Sequence, residues 1–365
     1  MRLLYATSIS YPSTLANRLQ TLAMAREFHG LLGGDFFFGV QSFPDKREEL
    51  LQILEMNGNR RSVALASRYA RFIRQKQITH VYCREEKLFF FLRLYASVLA
   101  PSAKFFFEAH TVQTDLFFKS AVRRADGVVA ITRGVAAGLY ALGVSKEHVI
   151  VEADGVDLSR FEGLPGRAET RSKFGLPQDS KVLLYESSFG FVPPWDYYAW
   201  KGADIFLDAA EHAPQGWVFA CAGGDEKEVE AIRERYKDSR ILLLGYVPPA
   251  EVPALMRAAD ALVIPNKRGE AGSDLYTSPL KLFEYMASGV PIIASDLPSL
   301  REVVSEREVT FFEPNDAAAL VDAARHVFEN EKSAGQRAEQ ARQLVERYAW
   351  SARAERILRF LARES

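Results

Sequence analysis

With 365 residues and hydrophobic residues at 48%, the chain has ample material for a core and more length than one usual domain, so two domains are expected. The formal charge of -1 covers an asymmetry, 21 Lys/Arg against 16 Asp/Glu in residues 1–165 and 25 against 31 in the remainder. A basic first half suits an anionic acceptor or a membrane surface, and scattered solvated charge accounts for it almost as well. Cys83 and Cys221 are the only cysteines and stand far apart in apolar sequence, which argues against a disulfide framework or a zinc site and fits a reducing compartment.

No apolar run reaches membrane-spanning length, and the start, MRLLYATSIS, lacks a basic segment leading into a long apolar one. A soluble, unexported, cytoplasmic chain is expected, with peripheral contact at the inner face of the membrane left open. Short apolar runs then alternate with helical patterns, the signature of parallel sheets covered by helices, so the expected class is α/β with two doubly wound, Rossmann-like domains. Strands are predicted over Arg2–Thr7, Asp35–Val40, His80–Cys83, Lys104–Glu108, Gly127–Ile131 and His148–Glu152. Leu158–Gln178, rich in Gly, Pro and charge and without a long apolar period, reads as the interdomain boundary. The second series predicts strands over Lys181–Glu186, Trp217–Ala222, Ile241–Leu244, Ala261–Pro265, Pro291–Ser295 and Val309–Phe312, with helices over Glu226–Tyr236 and Pro249–Ala259. Asp316 is the expected N-cap of an Arg-rich helical stretch, and a further helix follows Trp350. The aromatic clusters Phe89–Phe91 and Phe105–Phe107 read as core.

Several chemistry-bearing residues fall where predicted strands give way to loops, where doubly wound sheets bind ligands. The loop Ser8–Arg18 leads into a helix with Asn17 and Arg18 near its start, positioned for an acceptor or phosphate; a polar helix start accounts for them equally. His110 ends KFFFEAH beside Glu108 and can donate to or accept from a sugar or phosphate, and a structural His is as good a reading. The first turn carries no GxGxxG, which argues against an ordinary nicotinamide or flavin site. Lys201 precedes Gly202 and a helix, so its ammonium can offset charge on a departing group, while a surface Lys at a helix start is the common alternative. Tyr246 and Val247, between Gly245 and a Pro-Pro pair, offer backbone to a base or form a simple turn. Asp274, in EAGSDLYT, is a candidate acceptor for sugar hydroxyls or part of a solvated loop.

The most informative stretch is SPLKLFEYMASGVPIIASD, from Ser278 to Asp296. Ser278 suits an N-cap, Pro279 the first helical position, and Gly289 followed by Pro291 a stop. The first amides of such a helix, at Leu280 and Lys281, lack intrahelical partners where the macrodipole favours an anion, and Lys281 adds a formal charge. Glu284 shares their face and can accept from hydroxyls. The economical ligand is a nucleoside diphosphate or nucleotide sugar, its diphosphate on the helix end and its ribose on Glu284; the caps alone are better accounted for by ordinary capping. Paired metal-binding aspartates, an HExxH element and a nucleophile elbow are not seen, so no metal is expected. The basic stretch Arg60–Lys76 reads as a solvated helix face, so no nucleic acid is expected.

Taken together, FFFEAH, ADGVVAIT, VEADGVDLSRF, WKGADIFLDA, LLLGYVPPAEVPALMRAADALVIP and SPLKLFEYMASGVPIIASD resemble the retaining glycosyltransferases of family 4 (glycosyl transferases group 1), which have the GT-B fold. The resemblance spans nearly the whole chain. It implies an acceptor-binding domain over residues 1–163 joined by the C-terminal helix at about 346–365, a nucleotide-sugar domain over 164–345, and a cleft between them. It implies that Glu284 binds the ribose, that Leu280 and Lys281 amides and Lys201 bind the diphosphate, and that His110 contacts the donor sugar. Two departures stand out. Tyr276 occupies the position of the family's first glutamate, so Asp274 or Glu270 substitutes for it or that contact is absent. Ser187 and Ser188 occupy the usual Gly-Arg, so Ser188 replaces a diphosphate cation. The aromatic insertion FGFVPPWDYYAW is a sugar platform, an acceptor lid or domain packing.

The implied activity is transfer, with retention, of a sugar from a UDP- or GDP-sugar to a glycan, lipid-linked or small-molecule acceptor in cell-surface polysaccharide or glycoconjugate synthesis, with no cofactor. Sugar-nucleotide epimerisation or hydrolysis on a related fold, and non-catalytic sugar-nucleotide binding, are the competing readings. The sequence says nothing of oligomeric state.

Overall fold

Most helices and strands of the chain follow from runs of apolar residues at sheet or helix period, and the computed structural model describes them over residues 1–11, 16–43, 52–56, 62–193 and 196–363. Residues 12–15 of the first loop, 194–195 of the aromatic insertion, 60–61 of the basic stretch and the side chain of Asn17 lie outside the described residues. The chain divides into two units, one of Met1–Asp154 with Trp350–Ser365, the other of Gly155–Ala349.

In the first unit the order is β1 (Leu3–Ala6), α1 (Ala16–Leu32), β2 (Phe36–Val40), β3 (Ile53–Glu55), α2 (Ser62–Lys76), β4 (His80–Cys83), α3 (Glu86–Leu99), β5 (Lys104–Ala109), α4 (Leu116–Arg124), β6 (Gly127–Ala130), α5 (Arg133–Ala141) and β7 (Val149–Val151). All strands pair in parallel in the order β3-β2-β1-β4-β5-β6-β7. The central strands β1, β4, β5 and β6 are buried nearly throughout, as two-sided parallel strands must be. β3 is not expected from the sequence: its three residues are half-exposed at the sheet edge, too few for an alternating pattern to register. Phe105, Phe106 and Phe107 are buried on β5 as core residues, but of the other cluster only Phe89 is; Phe90 and Phe91 are half-buried and pack on Phe117 of α4.

The second unit contains α6 (Arg167–Phe174), β8 (Lys181–Glu186), α7 (Ala203–His212), β9 (Trp217–Ala222), α8 (Glu226–Arg235), β10 (Ile241–Gly245), α9 (Val252–Ala258), β11 (Ala261–Ile264), α10 (Leu280–Ser288), β12 (Ile292–Ser295), α11 (Pro298–Arg301), β13 (Thr310–Phe312), α12 (Ala317–Glu329) and α13 (Glu331–Leu344). Its parallel sheet runs β10-β9-β8-β11-β12-β13, with the order reversing beside β8. Asp316 caps α12 through the Ala319 amide at 2.9 Å.

The division falls earlier than a boundary at 163/164. The Val156 amide donates to the Tyr348 carbonyl at 3.0 Å, so the stretch from Gly155 enters the second unit beside its last residues. Leu158–Gln178 carries structure of its own, a 3-10 turn at Leu158–Phe161 and then α6. Hydropathy misses α6 because a buried cation anchors it: the Arg171 guanidinium reaches Asp260 Oδ2 at 2.6 Å and the Ala258, Pro177 and Gln178 carbonyls at 2.8–2.9 Å.

The last helix, α14 (Trp350–Arg363), returns to the first unit. Trp350, Ala354, Ile357 and Leu361 make its buried stripe at helical spacing. Phe360 sits edge-on to Phe106 with centroids 6.1 Å apart, over Gly127, where a Cβ would come within 2.7 Å of the Phe360 ring. Cys83 and Cys221 are buried free thiols, and burial pushes both thiol pKa values up. Among the described residues no helix is long and apolar enough to cross a membrane.

Candidate functional site

In the second unit the chemistry gathers at the carboxyl ends of the strands next to the point where strand order reverses. Glu186 ends β8, and its amide donates to the Tyr285 hydroxyl of α10 at 3.2 Å. Lys201 ends a short 3-10 turn, its Nζ 4.0 Å from the Tyr198 ring centroid and its carbonyl receiving the Tyr185 hydroxyl at 3.3 Å. Gly202 starts α7 at φ +72°, and a Cβ there would stand 1.8 Å from the Pro265 carbonyl oxygen, so only glycine lets Lys201 come this close to the end of β11.

α10 supplies the other wall. It begins at Leu280 with Pro279 in the N-cap position, extended at ψ 116°, and no side chain caps it. This corrects the expectation of a Ser278 cap with Pro279 as first helical residue: Ser278 is buried one position too early. The first intrahelical amide bond is from Leu282 to the Pro279 carbonyl at 2.9 Å, which leaves the Leu280 and Lys281 amides facing outward from the helix end. Gly289 ends the helix at φ +72°, as its position predicts.

The charges on these walls interact. Lys281 Nζ is covered, has no hydrogen-bond partner among the described residues, and lies 4.6 Å from the Tyr185 ring centroid. Burial, and then the ammonium of Lys201, lower its pKa to about 7, against the opposing pull of Glu186 and Glu284. Burial also lowers Lys201, with Glu186 and Glu228 opposing. Glu284 is raised by burial and by Glu186, while Arg160, whose Nη1 donates to Oε1 at 2.7 Å, pulls the other way. Two ammonium groups, one without a hydrogen-bond partner among the described residues, beside an uncapped helix N-terminus form a region suited to an anion.

The remaining expected residues of this unit lie around that cluster's loops. Tyr246 is 62% exposed and Val247 buried, so the turn offers an outward ring and backbone rather than the Val247 side chain. Ser188 is half-buried after β8. Asp274 sits in a short π turn at Gly272–Tyr276; its Oδ2 accepts from the Gly269 amide at 3.0 Å and its buried Oδ1 has no partner among the described residues. Tyr276 is half-buried and Glu270 exposed. A cavity of about 680 Å³ elsewhere in the unit opens at the opposite, amino-terminal strand ends, near Lys181, Asp260 and Pro291. Lys181 pairs there with Glu331 at 2.7 Å and Arg167 with Asp260 at 2.5 Å, and Arg257 donates to the Ser288 and Phe161 carbonyls, so among the described residues it has no unpartnered ammonium like that of Lys281.

The first unit carries a separate cluster. His110 Nε2 lies 2.5 Å from Glu108 Oε1, at the end of β5. Glu108 is buried, and its other oxygen receives the Tyr82 hydroxyl and Arg353 Nη2, the latter at 3.2 Å. Burial alone would raise Glu108, but Arg353, His110 and Arg84 outweigh it and hold its carboxyl well below the usual range. Arg353 comes from α14 and also donates through Nε to the Ala153 carbonyl at 2.8 Å. Arg84 donates to Gln20 and Thr21 of α1, both at 3.1 Å. Arg18, on the same helix, is half-buried, and its carbonyl accepts from Tyr11 at 2.9 Å. Sequence reasoning does not single out Glu186, Arg160, Arg84 or Arg353. Glu186 is visible as a carboxylate at a strand end; the three arginines have no local signal.

Residues 186–330 match the family described as glycosyl transferases group 1. The chain is 32% identical over 212 residues to the phosphatidyl-myo-inositol mannosyltransferase of Mycobacterium leprae, covering 57% of this chain and 53% of that protein. Among solved structures, a glycosyltransferase from Rickettsia africae superposes with a TM-score of 0.79 at 18% identity, covering 99% of this chain and 98% of the other. Anabaena Alr3699/HepE in complex with UDP-glucose gives 0.78 at 16% identity, covering 99% of each. The match to group 1 glycosyltransferases lies within the second unit, and the fold of the chain is the GT-B fold of two Rossmann-like units. It spans about half the length of the curated relatives it matches.

Proposed function

We propose that the chain is a retaining, family 4 glycosyltransferase that moves a sugar from a nucleotide-sugar donor to a glycan, lipid-linked or small-molecule acceptor in cell-surface polysaccharide or glycoconjugate synthesis. The observation that carries this reading is the unpartnered Lys281 ammonium beside Lys201 at the open N-terminus of α10. In this reading the diphosphate lies on the Leu280 and Lys281 amides and the two ammonium groups, so no metal is required. The ribose lies on Glu284, the base along the Tyr246–Val247 backbone, and Ser188 beside the phosphates. Asp274, with Oδ1 unpartnered, takes the sugar hydroxyls. His110 serves the transfer step from the first unit, and Asn17 and Arg18 serve the acceptor. The HepE complex with UDP-glucose makes a UDP-sugar the first donor to try and a GDP-sugar the second. The acceptor oxygen bonds to the anomeric carbon as the bond to the diphosphate oxygen breaks, and the acceptor proton passes to that diphosphate on the same face. The protein works in the cytoplasm, with the inner face of the membrane as the place to meet a lipid-linked acceptor.

A thermal-shift screen of UDP, GDP, ADP and dTDP tests the donor site. The matching diphosphate at 100 times its Kd stabilises the folded chain by about 2.7 kcal/mol and raises the melting midpoint accordingly. No shift with any of them overturns the reading. Tyr276, in the position of the family's first glutamate, favours a second reading, donor binding without transfer; binding of a nucleotide sugar with no product across a broad acceptor panel would establish it.

Lys281 makes donor binding pH-dependent. Its folded pKa of about 7 lies below the ordinary 10.5, so between those values the folded chain holds fewer protons than the unfolded one. The cost of burying the ammonium is therefore full below pH 7 and is relieved as pH rises through that window. An anion beside it restores the charge. Calorimetry at about pH 8, above that folded value, in buffers of different ionisation heat should register proton uptake on UDP binding, with affinity falling as pH rises above about 7 and Lys281→Met abolishing the uptake. Proton release, or enthalpies independent of the buffer, would remove the diphosphate from Lys281.

A further inference from the structure

Arg160 belongs to none of the strand ends that build the site, yet its guanidinium ties that site together. Asp157 Oδ1 accepts from the Ser159 amide at 3.0 Å and the Ser159 hydroxyl at 2.6 Å, which starts the 3-10 turn Leu158–Phe161, and buried Phe161 anchors that turn. From it, Arg160 Nη1 donates to Glu284 Oε1 at 2.7 Å and Nη2 to the Pro249 carbonyl at 2.6 Å. One planar fork thus joins the middle of α10 to the loop that follows Tyr246 and Val247. Among the described residues Glu284 has no other hydrogen bond, so its Oε2 remains open. Burial and Glu186 favour the protonated form of Glu284, and Arg160 is the first group that opposes them.

A carboxylate that must receive two hydroxyls of one ribose has to be ionised, because a protonated carboxyl surrenders one acceptor position to its own proton. It also has to be held in one rotamer, because an unheld side chain loses that freedom on binding. Arg160 favours the first, against burial and Glu186, and supplies the second while occupying a single oxygen. We propose that Arg160 is a positioning residue for ribose recognition: it holds the Glu284 carboxylate oriented, with Oε2 presented, in register with the loop at Pro249. This inference rests on the assignment of Glu284 to the ribose.

The experiment measures binding of UDP, of 2′,3′-dideoxy-UDP and of inorganic pyrophosphate by calorimetry, with GDP and its dideoxy form run in parallel. The wild type should prefer UDP or GDP over its dideoxy form. Arg160→Gln should weaken the preferred diphosphate about 10- to 100-fold, the scale of hydrogen bonds to a charged group, and leave the dideoxy form and pyrophosphate near wild-type affinity. In the Glu284→Gln background Arg160→Gln should then have no further effect. Should Arg160→Gln fail to fold, Arg160→Lys, which keeps the charge and loses the fork, takes its place in the same cycle with a smaller loss of the same sign. Equal weakening of all three ligands would make Arg160 a phosphate contact or a folding residue and overturn the inference. Unchanged ribose preference in the variant overturns it as well, with the Glu284 reading left standing. A wild type indifferent to the ribose hydroxyls overturns that reading itself.

Discussion

Lys201→Ala should lower kcat at saturating donor by about 10²- to 10³-fold, the scale on which removal of one preorganised charge from a departing oxyanion is felt. Three neighbours fix this lysine. Gly202 lets the backbone pass against the Pro265 carbonyl, the Tyr185 hydroxyl holds the Lys201 carbonyl, and Tyr198 underlies the ammonium. Charge there is expensive, since burial pulls its pKa down. An alanine therefore removes an unfavourable buried charge together with a cation–π contact, and the melting midpoint should stay within a few degrees of wild type. Lysine at this position gains most from a ligand whose negative charge grows as the reaction proceeds, so kcat should fall more steeply than donor affinity. Unchanged turnover at saturating donor would remove Lys201 from the transfer step.

Arg353→Met should destabilise the first unit by about 3–5 kcal/mol, because it strands a buried carboxylate. Glu108 would keep Tyr82 and His110 but lose the guanidinium that contributes most to holding its pKa down. Urea unfolding followed by Trp350 fluorescence, on the same helix and 5.9 Å from the Arg353 guanidinium, reads the loss. Glu108→Gln in the Arg353→Met background should recover part of it, since the Glu108 charge that lost its guanidinium is then gone. The pH dependence separates lost charge from lost packing. Glu108 has a folded pKa below the ordinary 4.5, so its stabilisation is present above that value and is lost as pH falls through the folded one. In the variant burial is opposed less and raises Glu108, so the acid-side loss should shrink or reverse. An equal loss of stability at about pH 4 and about pH 7, either side of the ordinary carboxylate value, would mean that the Arg353 side chain matters only for packing.

Every strand except β3 is legible in chain order because it is a short apolar run between turn signals, and Lys181–Glu186 and Trp217–Ala222 begin and end where the pattern does. Where polar groups do the anchoring, pattern fails. α6 is held by the buried Arg171, and hydropathy reads its segment as a linker. β3 is too short and too exposed to alternate. At the site, Lys201, Lys281 and Glu284 are visible because a glycine-bounded helix start and an open helix N-terminus announce themselves in consecutive residues. The Ser278 cap is a local inference that the structure corrects by one residue, since Pro279 is extended in ψ and takes the cap position itself.

By itself the sequence determined two parallel α/β series, a short helix stopped at Gly289 with lysine in its first turn, and a histidine at the end of a buried strand, since each depends on neighbours within a few residues. Tertiary structure alone decided which charges meet. Arg160 reaches Glu284 across 124 residues and Arg353 reaches Glu108 across 245, and both pairings are set by where a turn or a terminal helix packs. The near-neutral pKa of Lys281 has the same origin: it arises from burial and from the nearness of Lys201, and local sequence encodes neither.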